Sequence, residues 1–330
     1  MPEVSIILPV WNAEEYIQEC INSILNQSYQ NFELIIVTNG SNVPTLQAIE
    51  QIKDKRIIRF HFDQPDLIKA VNKAITESSG RYISRIDSDD IMTLHRLQLQ
   101  VDFLKQNPDF AIVSGEIQYL GDQLKNRGYF LHVNWLNQLK THEDIFLNRF
   151  VDSPVANPSL MVRKEVFERF GLYKDGPFPE DYEIVLRWLE NNMKIGKIPE
   201  DVLQWRDHSG RLTRNNDRYS VESFYKIKAK YFTKWFLKHF PSKNEILVWG
   251  TGKSVRRKSR YLSDHGLKIA GYIDVKPHPS SNQTPVYHYL SIPKNIFILS
   301  FVSDRKGRVE IFNFLTKNGY QPGIDFYMMS

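Results

Sequence analysis

"RYISRIDSDDIMTLHR", residues 81–96, runs from a β-branched and aromatic strand pattern directly into Asp87, Asp89 and Asp90, and from there into a helix pattern. The helix is announced by Leu94, Leu97, Val101 and Leu104 at three-to-four spacing. Capping it takes one acid, and three are present. Two unit charges about 4 Å apart repel by about 4 kcal/mol at the effective dielectric of a protein cleft, so a half-buried trio calls for a counter-charge. Alternation along an extended chain turns Asp87 and Asp89 to one side and Ser88 to the other, a two-carboxylate jaw at a strand's carboxyl end. Hard oxygen ligands of this kind suit Mg²⁺ or Mn²⁺. A solvated turn is the competing reading, and the rest of the chain has to decide.

Outward from this stretch the pattern alternates. "EVSIILPV" reads as a buried strand, and Glu14 to Asn26 as a helix with Ile17, Ile21, Ile24 and Leu25 inward. "FELIIV", the turn "TNGSN", a helix with Leu46, Ile49 and Ile52, the strand "RIIRFHF", and a helix with Leu67, Ala70, Val71, Ala74 and Ile75 lead to "RYISRI". Repeated strand and helix units predict an α/β fold: a mainly parallel sheet with helices on both faces, binding ligands beyond the carboxyl ends of its strands. The aspartate trio lies at such an end. After "FAIVSGEIQYL" the rhythm breaks over residues 120–157, where an acceptor-binding or partner-binding insertion is expected. It returns with "NPSLMVRKEVFERFGLY" and "PEDYEIVLRWLE".

At 330 residues the chain suggests two domains. A basic aromatic helix over 223–240, "SFYKIKAKYFTKWFLKHF", ends at Pro241, and a new strand begins at "NEILVWGTGKS". The boundary is therefore placed there, giving domains 1–241 and 242–330. The helix interleaves Lys226, Lys228, Lys230, Lys234 and Lys238 with Phe224, Tyr231, Phe232, Trp235 and Phe236. Its composition fits a bridge packing between two domains, or a helix lying in a membrane interface. The net charge of +5 and pI near 9.0 suit an anionic ligand or membrane surface and give no sign of nucleic acid. The lone Cys20, on the apolar face with Ile17, Ile21 and Ile24, reads as a buried small hydrophobe in a reducing compartment. With no leader pattern and no apolar run near the roughly 18 residues of a spanning helix, the expected home is the cytoplasm.

In "PEDYEIVLRW", Ile184, Val185, Trp188 and Leu189 form an inward stripe, with Asp181 three to four residues earlier on that face. Glu180 and Asp181 suit the positive end of the helix dipole. Glu183 and Arg187, four apart, read as an outward pair. The second domain's "GTGKS" is not a P-loop, because Leu247 stands where a glycine is required. A partial dinucleotide fingerprint fits better, with Gly250, Gly252 and Asp274, although Val255 takes the third glycine position. This part is read as a smaller Rossmann-like α/β accessory domain.

"VSIILPVWN", "SILNQSY", "NFELIIV", "DSDD", "PEDYEIVLRW" and "WRDHSGRLTR" together resemble the family 2 glycosyltransferases, over roughly residues 3–240. The resemblance implies a GT-A fold and inverting transfer of a sugar from a nucleotide diphosphate donor to a glycan or lipid-linked acceptor hydroxyl, with Mn²⁺ or Mg²⁺. Pro9, Val10, Trp11 and Asn12 would line the base and ribose pocket, and Asp87 would meet the ribose or diphosphate. Asn39, Ser88, Glu180 and Arg211 complete the expected nucleotide-sugar contacts. Asp89 would bind the metal, with His208 directed to metal or phosphate, and Asp181 would be the general base. Arg211 and Arg214 would neutralise the leaving diphosphate. "TNGS" departs from the family's paired acids: Asn39 accepts through its amide oxygen but also donates, which weakens the case for uridine. Val71 likewise replaces an arginine found in some members. A non-catalytic nucleotide-sugar sensor is the alternative that Thr38 and Asn39 suggest.

Overall fold

The computed structural model describes residues 1–276 and 284–330. The chain groups into two compact units. Met1–Ile145, Val155–Gly176 and Glu180–Asn215 form the first, and Phe146–Pro154, Pro177–Pro179 and Asn216–Ser330 the second.

The first unit is built on eight strands: β1 (Val4–Val10), β2 (Phe32–Asn39), β3 (Ile57–Phe62), β4 (Tyr82–Arg85), β5 (Ile91–Met92), β6 (Ile112–Leu120), β7 (Met161–Arg163) and β8 (Ile195–Arg206). Their order is β3-β2-β1-β4-β7-β6-β8-β5. The pairs β1/β2, β2/β3, β1/β4 and β6/β8 are parallel, whereas β7 runs antiparallel between β4 and β6, and β5 antiparallel to β8. Every residue of β1 and β2 is buried, as an unbroken apolar run requires of a strand covered on both faces. Helix Ile17–Leu25 buries Ile17, Cys20, Ile21 and Ile24, and helix Leu67–Glu77 buries Ile68, Ala70, Val71, Ala74 and Ile75. Helix Arg96–Gln106 buries Leu97, Val101 and Leu104 as expected. Leu94 is a correction: the helix starts two residues beyond it, after a turn closed by Arg96 N on Thr93 O, and Leu94 stays exposed. The stretch where the rhythm breaks also contains regular structure, helices Arg127–Gln138 and His142–Asn148, anchored by Val133, Leu136 and Ile145.

In the second unit, β9 (Glu245–Trp249), β10 (Lys268–Asp274), β11 (Val286–His288), β12 (Phe297–Ser300) and β13 (Phe326–Met328) form a parallel sheet in the order β11-β10-β9-β12-β13. The order reverses beside β9, the Rossmann-like arrangement expected from the fingerprint. Gly250, at φ +111°, turns the chain after β9, and a side chain there would press on Val255, the residue replacing the third glycine. Asp274 accepts a hydrogen bond from the Thr251 hydroxyl. The basic aromatic helix, Val221–His239, clusters with this unit although the sequence reading grouped it with the first domain. The cause is its aromatic face: Phe232 packs against Phe297, and Trp235 stands edge-on to Tyr327. Buried Lys228 donates to Val151 O at 2.6 Å. Phe236 likewise stands edge-on to Phe297. Among the described residues no helix is long and apolar enough to cross a membrane.

Candidate active site

The trio follows β4, where a parallel sheet presents its carboxyl ends. The chain does not continue extended, as the jaw required. It turns at Ser88 and Asp89, closed by Asp90 N on Asp87 O at 3.1 Å, so strand alternation no longer sets the directions of the acids. Each acid finds a separate environment. Asp87 accepts from Arg85 Nε at 3.2 Å. Asp89 Oδ2 lies 2.8 Å from His208 Nε2 and 3.9 Å from Arg211 Nη1. Fully buried Asp90 accepts from Arg206 N at 2.9 Å through Oδ1, while its Oδ2 has no hydrogen-bond partner among the described residues. Burial raises the Asp89 pKa, but the hydrogen bond with His208 and the Arg211 charge outweigh it and hold the carboxyl below its ordinary range. Burial, and then the Asp89 charge, push Asp90 well above that range. Three carboxylates therefore do not amount to three charges. Beneath them the Cys20 thiol donates to Asp87 O at 3.5 Å, and burial followed by the three aspartates pushes it well above its usual pKa.

The end of β8 supplies the cations. Arg206 donates to Asp89 O at 2.9 Å, and His208 leans on the Tyr16 ring, centroids 5.0 Å apart. Buried Arg211 lies over the Trp205 ring and donates to Arg206 O. The two arginines expected at the diphosphate separate here. Arg211 reaches Asp89 and Asp90, whereas Arg214 pairs with Asp207 at 2.7 Å and covers the Tyr129 ring.

Asp181 opens helix Glu180–Glu190, its Oδ1 accepting from Tyr182 N at 2.7 Å. The residue is half-buried, in a densely packed surround. Burial, then the charge of neighbouring Glu180, raise its pKa to about 7 against the pull of Arg85. Arg85 therefore pairs with Asp87 at 3.2 Å and also bears on Glu180 and Asp181 through its charge. Sequence reasoning missed it. The available signal was an arginine ending a fully buried strand, two residues before an acidic motif. Glu183 and Arg187 are a second correction, since both are buried. They pair at 2.9 Å, and Arg187 also donates to the carbonyls of Phe170, Gly171 and Leu172, closing the end of helix Lys164–Phe170.

At the end of β1, Pro9 and Val10 are buried and Trp11 is exposed. Asn12 adopts φ +44°, a conformation asparagine tolerates, and its side chain accepts from Asn42 N at 2.8 Å. Asn39 is buried with both ends of its amide engaged. It donates to Val10 O at 2.8 Å and accepts from Asp66 N at 3.2 Å, fastening β2 to β1 and to the start of helix Leu67–Glu77. Its neighbour Thr38 bonds His61 Nδ1 at 2.8 Å.

Among the described residues no three His, Cys, Asp or Glu side chains gather as a metal cage. Asp89 and His208, one oxygen and one nitrogen donor on separate strand ends, fit an ion such as Mn²⁺ that takes its remaining ligands from a diphosphate.

The profile of "Glycosyl transferase family 2" matches residues 5–171. The O-antigen biosynthesis glycosyltransferase WbnJ of Escherichia coli is 30% identical over 245 residues, 71% of this chain and 89% of that protein. In fold, the chain is similar to S. aureus TarS 1-349 in complex with UDP, with a TM-score of 0.54 at 17% identity, over 80% of this chain and 70% of that one. It is also similar to the mannosyltransferase PcManGT from Pyrobaculum calidifontis in complex with GDP-Man and Mn2+, with a TM-score of 0.50 at 17% identity, over 79% and 70% of the two chains. With a family match spanning half its length and a relative of this identity and coverage, the chain belongs to glycosyl transferase family 2.

Proposed function

We propose that this chain is a metal-dependent, inverting glycosyltransferase that moves a sugar from a nucleotide diphosphate sugar to an acceptor hydroxyl in surface polysaccharide synthesis. The observation that carries the reading is Asp181, with a pKa near 7, in the field of the same Arg85 that pairs with Asp87 in the acidic turn. A base poised near neutrality and a cation-compensated acidic turn are what displacement of a diphosphate requires. Asp181 takes the acceptor proton as the acceptor oxygen bonds to the anomeric carbon, and the bond from that carbon to the diphosphate breaks with its electron pair. One displacement inverts the anomeric centre. Bound by Asp89 and His208, Mn²⁺ or Mg²⁺ would supply charge neutralisation for the diphosphate oxygens. Arg211 adds a fixed positive charge beside Asp89. Pro9, Val10, Trp11 and Asn12 hold the base and ribose, Asn39 shapes that pocket from behind, and Ser88 and Glu180 flank the diphosphate and sugar. The relative named for O-antigen biosynthesis supports a polysaccharide acceptor. Catalysis is assigned to residues 1–241 and an accessory role to 242–330.

Incubating the chain with Mn²⁺ and UDP-glucose, UDP-GlcNAc or GDP-mannose tests the reading by release of nucleotide diphosphate. Donor turnover that disappears in Asp181→Asn is expected. Tight nucleotide binding without turnover would instead identify the non-catalytic sensor.

A further inference from the structure

The second unit gathers four cations of its own. Its sheet order reverses at β9 and β12, and a parallel sheet of this kind receives ligands beyond the carboxyl ends of its strands at that point. The two segments leaving those ends touch: Phe301 N donates to Trp249 O at 3.2 Å, and a Cβ added at Gly250 would lie 3.6 Å from Val302. Gly250 leads into helix Lys253–Ser263. Val302 leads into helix Arg305–Lys317, where a Cβ added at Gly307 would lie 3.2 Å from it. Both helices therefore start at this crevice.

Both also bring cations to it. Lys258 Nζ lies 4.2 Å from the Tyr225 ring centroid, and Lys228 Nζ lies 4.7 Å from the same ring. Tyr225 stacks on Phe301, centroids 6.0 Å apart, which ties both lysines to the segment leaving β12. Arg305 and half-buried Arg308 open the other helix. Lys258 and Arg308 bear on Lys228, and Arg305 bears on Arg308, so the four charges add. The acids nearby are committed. Asp152 bears on Lys228 and Arg308, Asp304 caps its own helix through Gly307 N at 2.7 Å, and Asp274 accepts from the Thr251 hydroxyl and from Lys276 N. The ion pairs that flank the cluster, Lys226 with Glu222 and Lys306 with Glu310, leave Lys258, Arg305 and Arg308 without a carboxylate partner among the described residues. Like charges gathered beside two helix starts repel one another and call for an anion.

A glycine loop of this kind serves a dinucleotide when an acid ending the next strand holds the ribose. Here that acid, Asp274, has both oxygens engaged, and Val255 fills the third glycine position. A terminal diphosphate carries more negative charge than the diester bridge of a dinucleotide, and its oxygens suit the forked donors of arginine. We infer that Lys258, Arg305 and Arg308 form an anion site at the carboxyl ends of β9 and β12 that takes a terminal diphosphate, free or at the end of a nucleotide. The site lies within the second unit and does not depend on the reading of Asp89 and Asp181.

Calorimetry on the full chain in chelator tests it, with pyrophosphate, ADP, UDP and NAD⁺ as probes. The wild type should bind pyrophosphate without metal, and the double variant Lys258→Gln, Arg308→Gln should bind it at least about tenfold more weakly, the loss of charge-assisted hydrogen bonds. Melting curves verify that the variant folds, and Arg305→Gln with Lys258→Gln replaces it if it does not. Mn²⁺-dependent release of nucleotide from a donor should stay within about twofold of wild type, which separates this site from the one around Asp89. ADP and UDP that match pyrophosphate assign the site to the free diphosphate, and either one binding more than about tenfold tighter assigns it to a nucleotide's end. Absence of metal-free pyrophosphate binding in the wild type, equal binding by the double variant, or NAD⁺ bound more tightly than ADP would overturn the site and leave the proposed function standing.

Discussion

Nε2 of His208 lies 2.8 Å from Oδ2 of Asp89, joining the turn after β4 to the segment after β8 across 119 positions of sequence. The pair ties the acidic motif to a distant basic loop and leaves each side chain part of its surface exposed. His208→Ala should weaken Mn²⁺-dependent nucleotide diphosphate binding by at least about tenfold while leaving metal-free binding nearly unchanged. Calorimetry with and without chelator measures both. Equal metal dependence in wild type and variant would remove His208 from the metal site.

Asp181 governs the pH response. Its folded pKa near 7 lies above the ordinary 3.8, so the folded chain holds this proton longer than the unfolded chain does. Its contribution to stability is therefore full at acid pH and lost as pH rises from about 4 through about 7. Asp181→Asn cannot ionise, so its melting temperature should fall less than the wild type's between pH 5 and 8. Turnover should do the reverse: in the wild type it rises through pH 7 as the base becomes available, and in the variant it drops by about 10² to 10⁴.

Asn39→Asp places a carboxylate against Val10 O, where the amide now donates. The expected result is a loss of about 1–3 kcal/mol in stability, read from urea unfolding, with no gain for UDP over GDP. A stable variant with new uridine preference would return Asn39 to the base edge.

Arg187→Met takes the buried guanidinium from Glu183, leaving Lys174 Nζ at 3.5 Å, and strips three carbonyls of their donor. Breaking a buried pair costs about 3–5 kcal/mol, against a few tenths for an exposed one. Equilibrium unfolding distinguishes the two outcomes.

The parallel half of the first sheet was legible because its strands carry unbroken apolar runs and its helices repeat at the helical period. The Rossmann-like sheet was legible from Gly250 and Asp274. Legibility ended where a residue's partner lies far away in the chain. Periodicity placed Glu183 and Arg187 outward because charged residues usually face water, whereas the three carbonyls ending another helix, and Lys174 Nζ 3.5 Å from Glu183, account for their burial. The acidic turn was visible as a charge problem, but most of its solution was not: Arg206 and His208 act through contacts that local spacing does not encode. The helices of residues 120–157 were obscured by half-buried aromatic and polar positions around a few buried ones, Val133, Leu136 and Ile145. Asn39 was read as a contact for ligand because its family position suggested one, whereas its amide is occupied by the backbone of Val10 and Asp66.

Cys20 has a chemical consequence of its own. Only a thiolate attacks alkylating reagents or peroxide, and this sulfur has no solvent exposure and a proton held by burial and by the acids above it. Iodoacetamide or mild oxidant should therefore leave the folded chain unlabelled and its turnover intact. Labelling should begin only as the chain unfolds, so this one sulfur can report whether helix Ile17–Leu25 is still seated beneath the acidic turn.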